Sequence, residues 1–365
     1  MNDILRPPRA AGLFRLATFT GLTAAAALLV ATPATAHTPE AIPPPAQPSA
    51  SEFGVQPPDP SAMTVTSGGV GDAGWFLFEP AAPTVAPAPL AIVTHGYFEF
   101  SGYEVNRALI EHTVAQGNIV IYPRYQTSAV TACPGPFYIE PCVASAAAGI
   151  TGALTYLADN PDHVQPDIDR TSYFGHSFGG IITTNIANRY LQLGLPRPRA
   201  LFLDDPHDGG YAGPGEPALD DVLSGIPADT VVQCYVGESG VIGESGKENS
   251  SCNAVFPRLG HIPDAQKDLI LSYDDDHGSP ALSSKHGVST GGGTGDGGMI
   301  PVSNPIDAYD YKMWQLWDAA RNYAYTGTDA EYAIGNTPQR RNNGVWSDGV
   351  PVRELKIQKT APIAP

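Results

Sequence analysis

Charge is scarce in this chain, and positive charge is the scarcer kind. Of 365 residues, 16% are charged, with 20 Lys and Arg against 37 Asp and Glu, for a formal net charge of −17. A chain so poor in cations lacks the basic footprint that neutralises phosphates, which argues against nucleic acid and anionic membrane surfaces as partners. Cysteine is limited to Cys133, Cys142, Cys234 and Cys252. No two of them are spaced C-x-x-C, so the paired ligands of a soft tetrahedral zinc site are missing. No stable membrane span is expected once the first 36 residues are removed, and no internal repeat is visible. "ESGKENS" (244–250) lacks the leading glycine spacing of a phosphate loop. "GGGTGDGG" (291–298) is too brief for a calcium-binding repeat, and "DDD" (274–276) reads as a solvated loop.

Apolar residues are plentiful, at 42%, enough for a sizeable core in one large domain or two small ones. The 39 glycines and 36 prolines point to many loops. The first 36 residues read as a signal peptide. Arg6, Arg9 and Arg15 make a basic start, "LATFTGLTAAAALLVAT" (16–32) is the apolar stretch, and Ala34-Thr35-Ala36 offers an A-x-A cleavage site. Export with cleavage after Ala36 is the expectation, and it makes disulfides plausible. Four cysteines allow three connectivities, and the short spacings favour Cys133–Cys142 and Cys234–Cys252. Residues 37–62 are rich in Pro, Ala and Ser without apolar periodicity, and read as a linker arm. The remainder, 63–365, reads as one domain with a C-terminal extension.

Short apolar runs alternate with helical patterns through the middle of the chain. "PLAIVTHG" (89–96), "IVIYP" (119–123), "TSYF" (171–174), "RALFL" (199–203), "TVVQCYV" (230–236) and "DLILSY" (268–273) read as buried strands. Residues 101–118, with Val105, Leu109, Ile110 and Val114 at helical spacing and Gly117 as a stop, read as a helix, as do 144–159 and 180–194. This alternation predicts an α/β fold, a mostly parallel sheet with helices on both faces. Function then collects at the carboxyl ends of the strands. Ile306, Tyr309, Met313, Leu316, Trp317 and Ala320 put one face of a later helix (306–323) into the core, and "WSDGVPVRELKI" (346–357) can add a small strand.

Gly175-His176-Ser177-Phe178-Gly179 matches G-x-S-x-G, with a strand before it and a helix after it. That context is what a nucleophile elbow needs, because a sharp strand-to-helix turn lifts the serine clear of the sheet. Ser177 is therefore the candidate nucleophile. Its oxyanion donors are expected to be the backbone N–H of Phe178 and, from "THGYF" (94–98), that of Tyr97. In this architecture the acid and then the base follow the serine in the chain. "LFLDDPHDGG" (201–210) offers Asp204, Asp205 and Asp208 at a strand end, and Asp205, just before Pro206, is preferred. For the base, His277 lies four residues past Tyr273 at the end of the last strand, and His286 nine residues further on. His277 is preferred, since His286 requires "GSPALSSK" (278–285) to fold back.

These stretches together resemble the α/β-hydrolase superfamily, its chlorophyllase-like esterases and the related secreted cutinase-like polyester hydrolases. In chlorophyllases a "HGF" loop, a "GHSRGG" elbow, an Asp-Pro after the next strand and a "YGH" after the last strand carry the site. The resemblance spans roughly 89–277 and implies a Ser177, Asp205, His277 triad. Here Phe178 stands in place of an Arg, and "DHG" in place of "YGH". The expectation is a secreted serine hydrolase that cleaves small-molecule, lipid or polymer esters through an acyl-enzyme, without metal or organic cofactor. A lipase or polyester hydrolase, a peptidase, and a non-catalytic binding module on the same fold are the alternatives.

Overall fold

Leu90-Ala91-Ile92-Val93 shows no polar alternation because both of its faces are covered. In the computed structural model, which describes residues 43–81, 87–97, 99–100, 102–128, 139–207, 219–240, 252–293 and 304–363, Leu90 and Ile92 enter one apolar cluster and Ala91 and Val93 another. The same period of two splits Ile119 and Ile121 from Val120, Leu201 and Leu203 from Phe202, and Leu269 and Leu271 from Ile270.

Among the described residues nine strands form one sheet. They are β1 Met63–Gly68, β2 Trp75–Pro80, β3 Ala88–Thr94, β4 Ile119–Pro123, β5 Pro166–His176, β6 Pro198–Asp204, β7 Val231–Gly237, β8 Lys267–Ser272 and β9 Lys356–Gln358. Their order is β1-β2-β4-β3-β5-β6-β7-β8-β9. The six from β4 to β8 run parallel, while β1, β2 and β9 are antiparallel additions at the two edges. The fold is α/β with a mostly parallel sheet. The antiparallel pair β1–β2 was not singled out from sequence. β1 carries three exposed positions in six, too polar a pattern to read as a buried strand.

The helices are α1 Arg107–Ala115, α2 Ile139–Asp159, α3 Phe178–Asn188, α4 Tyr190–Leu193, α5 Cys252–Val255, α6 Ala308–Thr326, α7 Ala330–Ala333 and α8 Pro338–Arg341. Side chains of α2 and α3 cover one face of the sheet, and those of α1 and α6 the other. Asp307 caps α6, accepting the Tyr309 N–H, and Gly327 ends it in the left-handed region at φ 77°. The aromatic stripe of α6 is core. Trp317 is fully buried, edge-on to Phe174 and Phe202 at centroid distances of 5.6 and 6.1 Å. Truncating such a residue to Ala costs about 3–5 kcal/mol. α2 from Glu140 is long and apolar enough to cross a membrane by length and composition, and here Cys142, Ala146, Ile150 and Leu157 bury one side of it in the core.

Residues 44–365 form one compact unit. The stretch 44–62, linker-like by composition, is part of it. Phe53 and Val55 are buried in the α1–α6 layer, and Gln315 donates to the Phe53 carbonyl at 2.8 Å. Ala50 is buried with them, and backbone hydrogen bonds from Ser279 to the Pro45 carbonyl and from Ser347 to the Ala46 carbonyl, at 2.9 and 3.0 Å, tie the segment down further. A disulfide joins Cys234 in β7 to Cys252 at the start of α5, with a Cα–Cα distance of 5.6 Å. Residues 1–42 (the expected signal peptide among them), Cys133, Asp208 and the stretches 244–250 and 294–298 lie outside the described residues.

Candidate active site

β5 ends at His176 and α3 begins at Phe178, so Ser177 alone makes the turn between strand and helix. It does so at φ 54° and ψ −124°, a conformation that non-glycine residues rarely adopt. The neighbouring glycines make this possible. A Cβ on Gly175 would stand 2.5 Å from the Gly179 carbonyl oxygen, and one on Gly179 2.4 Å from that of His95. Gly180 is equally constrained, because Pro206 would lie 2.7 Å from its Cβ. The turn is pinned by its own backbone. Ser177 N–H donates to the Asp204 carbonyl at 2.9 Å, and the Ser177 carbonyl accepts from Gly180 and His207, each at 2.9 Å.

Asp205 follows β6 directly and also has positive φ, at 43°. Its N–H donates to the Tyr235 carbonyl at 2.7 Å, and the residue is 1% exposed. Room for its carboxylate comes from Gly240, whose Cβ would fall 2.2 Å from Asp205 Oδ2.

The histidine between them is His286. Its Nδ1 lies 2.7 Å from Asp205 Oδ2 and its Nε2 2.9 Å from Ser177 Oγ. A carboxylate only accepts, so Nδ1 carries the proton and Nε2 is left to accept from the serine hydroxyl. Ser177 is half-buried and the His286 side chain 37% exposed, so both are reachable from solvent while Asp205 is not.

The preferred base, His277, is elsewhere. Its Nε2 bonds Asp348 Oδ2 at 2.8 Å and its ring lies 5.9 Å from that of Trp346. The backbone past β8 explains the exchange. Asp275 and Leu282 pair through two hydrogen bonds of 2.8 Å, which sends 276–281 outward as a turn and carries His277 with it. The returning arm then lies beside the end of β7, where Ser239 N–H donates to the Ser284 carbonyl at 3.0 Å and Ser239 bridges Lys285. His286 is the next residue, and it lands over Asp205. The turn-forming Gly278-Ser279-Pro280 was the available sequence signal for this return.

Of the other acids considered, Asp204 is 1% exposed, and its Oδ2 accepts from Ser289 N–H at 3.3 Å instead of facing His286. Burial raises its carboxyl above the usual range, against the opposing pull of His176.

Phe178 opens α3, where its N–H is one of the helix's unpaired amides, and the Tyr97 ring packs edge-on against the Phe178 ring at 5.2 Å. Both expected oxyanion residues thus belong to the turns at the carboxyl ends of β3 and β5. No protein-family model matches this chain, and no curated protein matches it.

Sequence reasoning missed two further residues at the site. His176, directly before Ser177, is 3% exposed, and its Nδ1 lies 3.0 Å from Glu99 Oε1. Its ring centroid is 4.9 Å from that of His286. Burial opposes charge on His176, but Glu99 first, then Asp204 and Asp205, outweigh it and push the imidazole up to about 9. Glu99 in turn is disfavoured as an anion by burial and held below the usual range by His176. No sequence motif marks this pair. Among the described residues no group of three or more His, Cys, Asp or Glu is arranged to hold a metal ion. A cleft lined by Arg170, Asp318, Arg321 and Tyr325 includes none of Ser177, Asp205 and His286 in its lining.

Proposed function

We propose that this chain is a serine-dependent carboxylic ester hydrolase of the α/β-hydrolase kind. The observation that carries the reading is His286, bonded to Asp205 through one ring nitrogen and to Ser177 through the other. Nucleophile, base and orienting acid in hydrogen-bond contact are what acyl transfer requires. The strained serine between β5 and α3, and the chain order Ser, Asp, His, support the α/β-hydrolase assignment.

In this reading Ser177 Oγ attacks the ester carbonyl carbon while His286 Nε2 takes the hydroxyl proton. Asp205 holds the Nδ1–H and stabilises the imidazolium. Negative charge gathers on the carbonyl oxygen, where the Phe178 and Tyr97 N–H groups receive it. The tetrahedral intermediate collapses, His286 gives its proton to the departing alcohol, and an acyl-Ser177 ester remains. Water, deprotonated by His286, then attacks the acyl carbon, the bond to Ser177 Oγ breaks as His286 returns the proton to it, and the carboxylic acid leaves. The Cys234–Cys252 bridge supports an oxidising compartment and, with the leader-like first 36 residues, export.

The test is chemical. The purified protein, treated with a fluorophosphonate, should carry the adduct on the peptide containing Ser177, and Ser177→Ala should abolish both adduct and ester turnover. A folded protein that takes up no label would sink the hydrolase reading in favour of a binding module. Faster turnover of peptide amides than of esters would reassign it to a peptidase.

A further inference from the structure

Two consecutive peptide planes in the turn after β3 are held by buried side chains, and this turn carries the proposed Tyr97 donor. In the first plane the His95 carbonyl accepts from the Tyr125 hydroxyl, and the Gly96 N–H donates to Glu99 Oε2 at 2.6 Å. A trans peptide aims its C=O and N–H in opposite directions, so Tyr125 and Glu99 grip the plane from its two sides. In the second plane the Gly96 carbonyl bonds His95 Nδ1 at 2.8 Å. A carbonyl only accepts, so Nδ1 carries the proton, and burial holds this imidazole below its usual range and therefore neutral. The His95 ring is itself stacked on Tyr125 at 4.1 Å. The opposite pole of the second plane is the Tyr97 N–H.

Glu99 joins this turn to the nucleophile. One of its oxygens takes the Gly96 amide, and the other stands 3.0 Å from Nδ1 of His176, the residue before Ser177. A Cβ at position 96 would come within 2.8 Å of Glu99 Oε1, so the glycine leaves room for the carboxylate beneath the turn. A bare carboxylate this close to a developing oxyanion would oppose it, and a cationic His176 cancels that charge. Asp204, Asp205 and His286 also face His176, and His95 faces Glu99.

We infer that Glu99 is a positioning residue: it locks the Gly96–Tyr97 turn to the nucleophile elbow through His176 and so sets the direction of the Tyr97 N–H. The inference rests on the serine-hydrolase reading above.

The experiment measures kcat and KM on a soluble p-nitrophenyl ester for the parent, Ser177→Ala, Glu99→Ala, Glu99→Gln and Tyr125→Phe, with a thermal melt of each. Folded Glu99→Ala should lose about 100-fold in kcat with KM within about 3-fold, as expected for a misdirected oxyanion donor. Glu99→Gln keeps an acceptor for the Gly96 amide and should recover at least about 10-fold of that loss. Tyr125→Phe removes the opposite grip and should cost about 10-fold in kcat. Folded Glu99→Ala with kcat within about 3-fold of the parent, or Glu99→Gln no better than Glu99→Ala, overturns the inference. If neither Glu99 variant folds, Tyr125→Phe decides, and an unchanged kcat there overturns it. Activity in the parent that Ser177→Ala abolishes keeps the hydrolase reading intact in all of these cases. A parent inert to both ester and fluorophosphonate removes that reading and this inference with it.

Discussion

His286 Nε2 stands 2.9 Å from Ser177 Oγ, although 109 positions of sequence separate the two residues. His277 is bonded instead to Asp348. His286→Ala should therefore lower kcat by about 10⁴-fold or more, and combining it with Ser177→Ala should add little, because such residues act as a unit. His277→Ala should keep most of the parent turnover. Steady-state kinetics of the three variants checks this. An active His286→Ala beside a dead His277→Ala would return the base to His277.

The two adjacent aspartates should separate in the same assay. Asp205→Asn removes the negative charge and sets an amide N–H donor against His286 Nδ1, which favours the wrong tautomer and costs about 10⁴-fold in kcat. Asp204→Asn should cost far less turnover, because its carboxylate bonds Ser289 N–H and not His286. Equal losses in both variants would mean that the acid role is shared.

The Cys234–Cys252 bridge spans a sequence separation of 18. Closing a loop of that size restricts the unfolded chain by about 3 kcal/mol. Cys234→Ala/Cys252→Ala should show a denaturation free energy lower by about that amount. Denaturant curves that superimpose on the parent's would show that the bridge carries no stability.

The buried His176 makes stability depend on pH in a definite direction. Its folded pKa, about 9, lies above its ordinary value of 6.5. Its contribution is therefore fully present below about pH 6.5 and is lost as pH rises through about 9, on the order of 3 kcal/mol in all. Urea midpoints should fall between pH 7 and pH 10, and Glu99→Gln should flatten that fall. An unchanged slope in Glu99→Gln would detach the effect from this pair.

The C-terminal extension is tied to the sheet by charge. Arg340 of α8 pairs with Asp268 of β8, both fully buried, and Lys359 Nζ reaches Asp268 Oδ1 at 2.7 Å. Arg340→Ala should cost about 3–5 kcal/mol, because it leaves a buried carboxylate short of a partner. A melting temperature within a degree of the parent's would count against this.

What the sequence determined by itself was local. β4 runs from Ile119 to Pro123 as its apolar run does, and β3, β6, β7 and β8 lie within two residues of theirs, since a strand covered on both faces is largely apolar; β5 starts five residues before its run because residues 166–170 are largely polar and not buried. Ser177 was legible because a strand-to-helix turn at positive φ needs small neighbours, and Gly175, Gly179 and Gly180 supply them. Asp205 was legible from its place beside a strand end. Only the tertiary structure showed that His286 meets Ser177 while His277 meets Asp348. That placement depends on which groups the loop's backbone pairs with, Leu282 exchanging hydrogen bonds with Asp275 and the Ser284 carbonyl accepting from Ser239 N–H. It also brought Glu99 beneath Gly96 and against His176. No spacing rule marks such a pair, because a buried charge finds its partner through the packing of the whole sheet and not through the residues beside it in the chain.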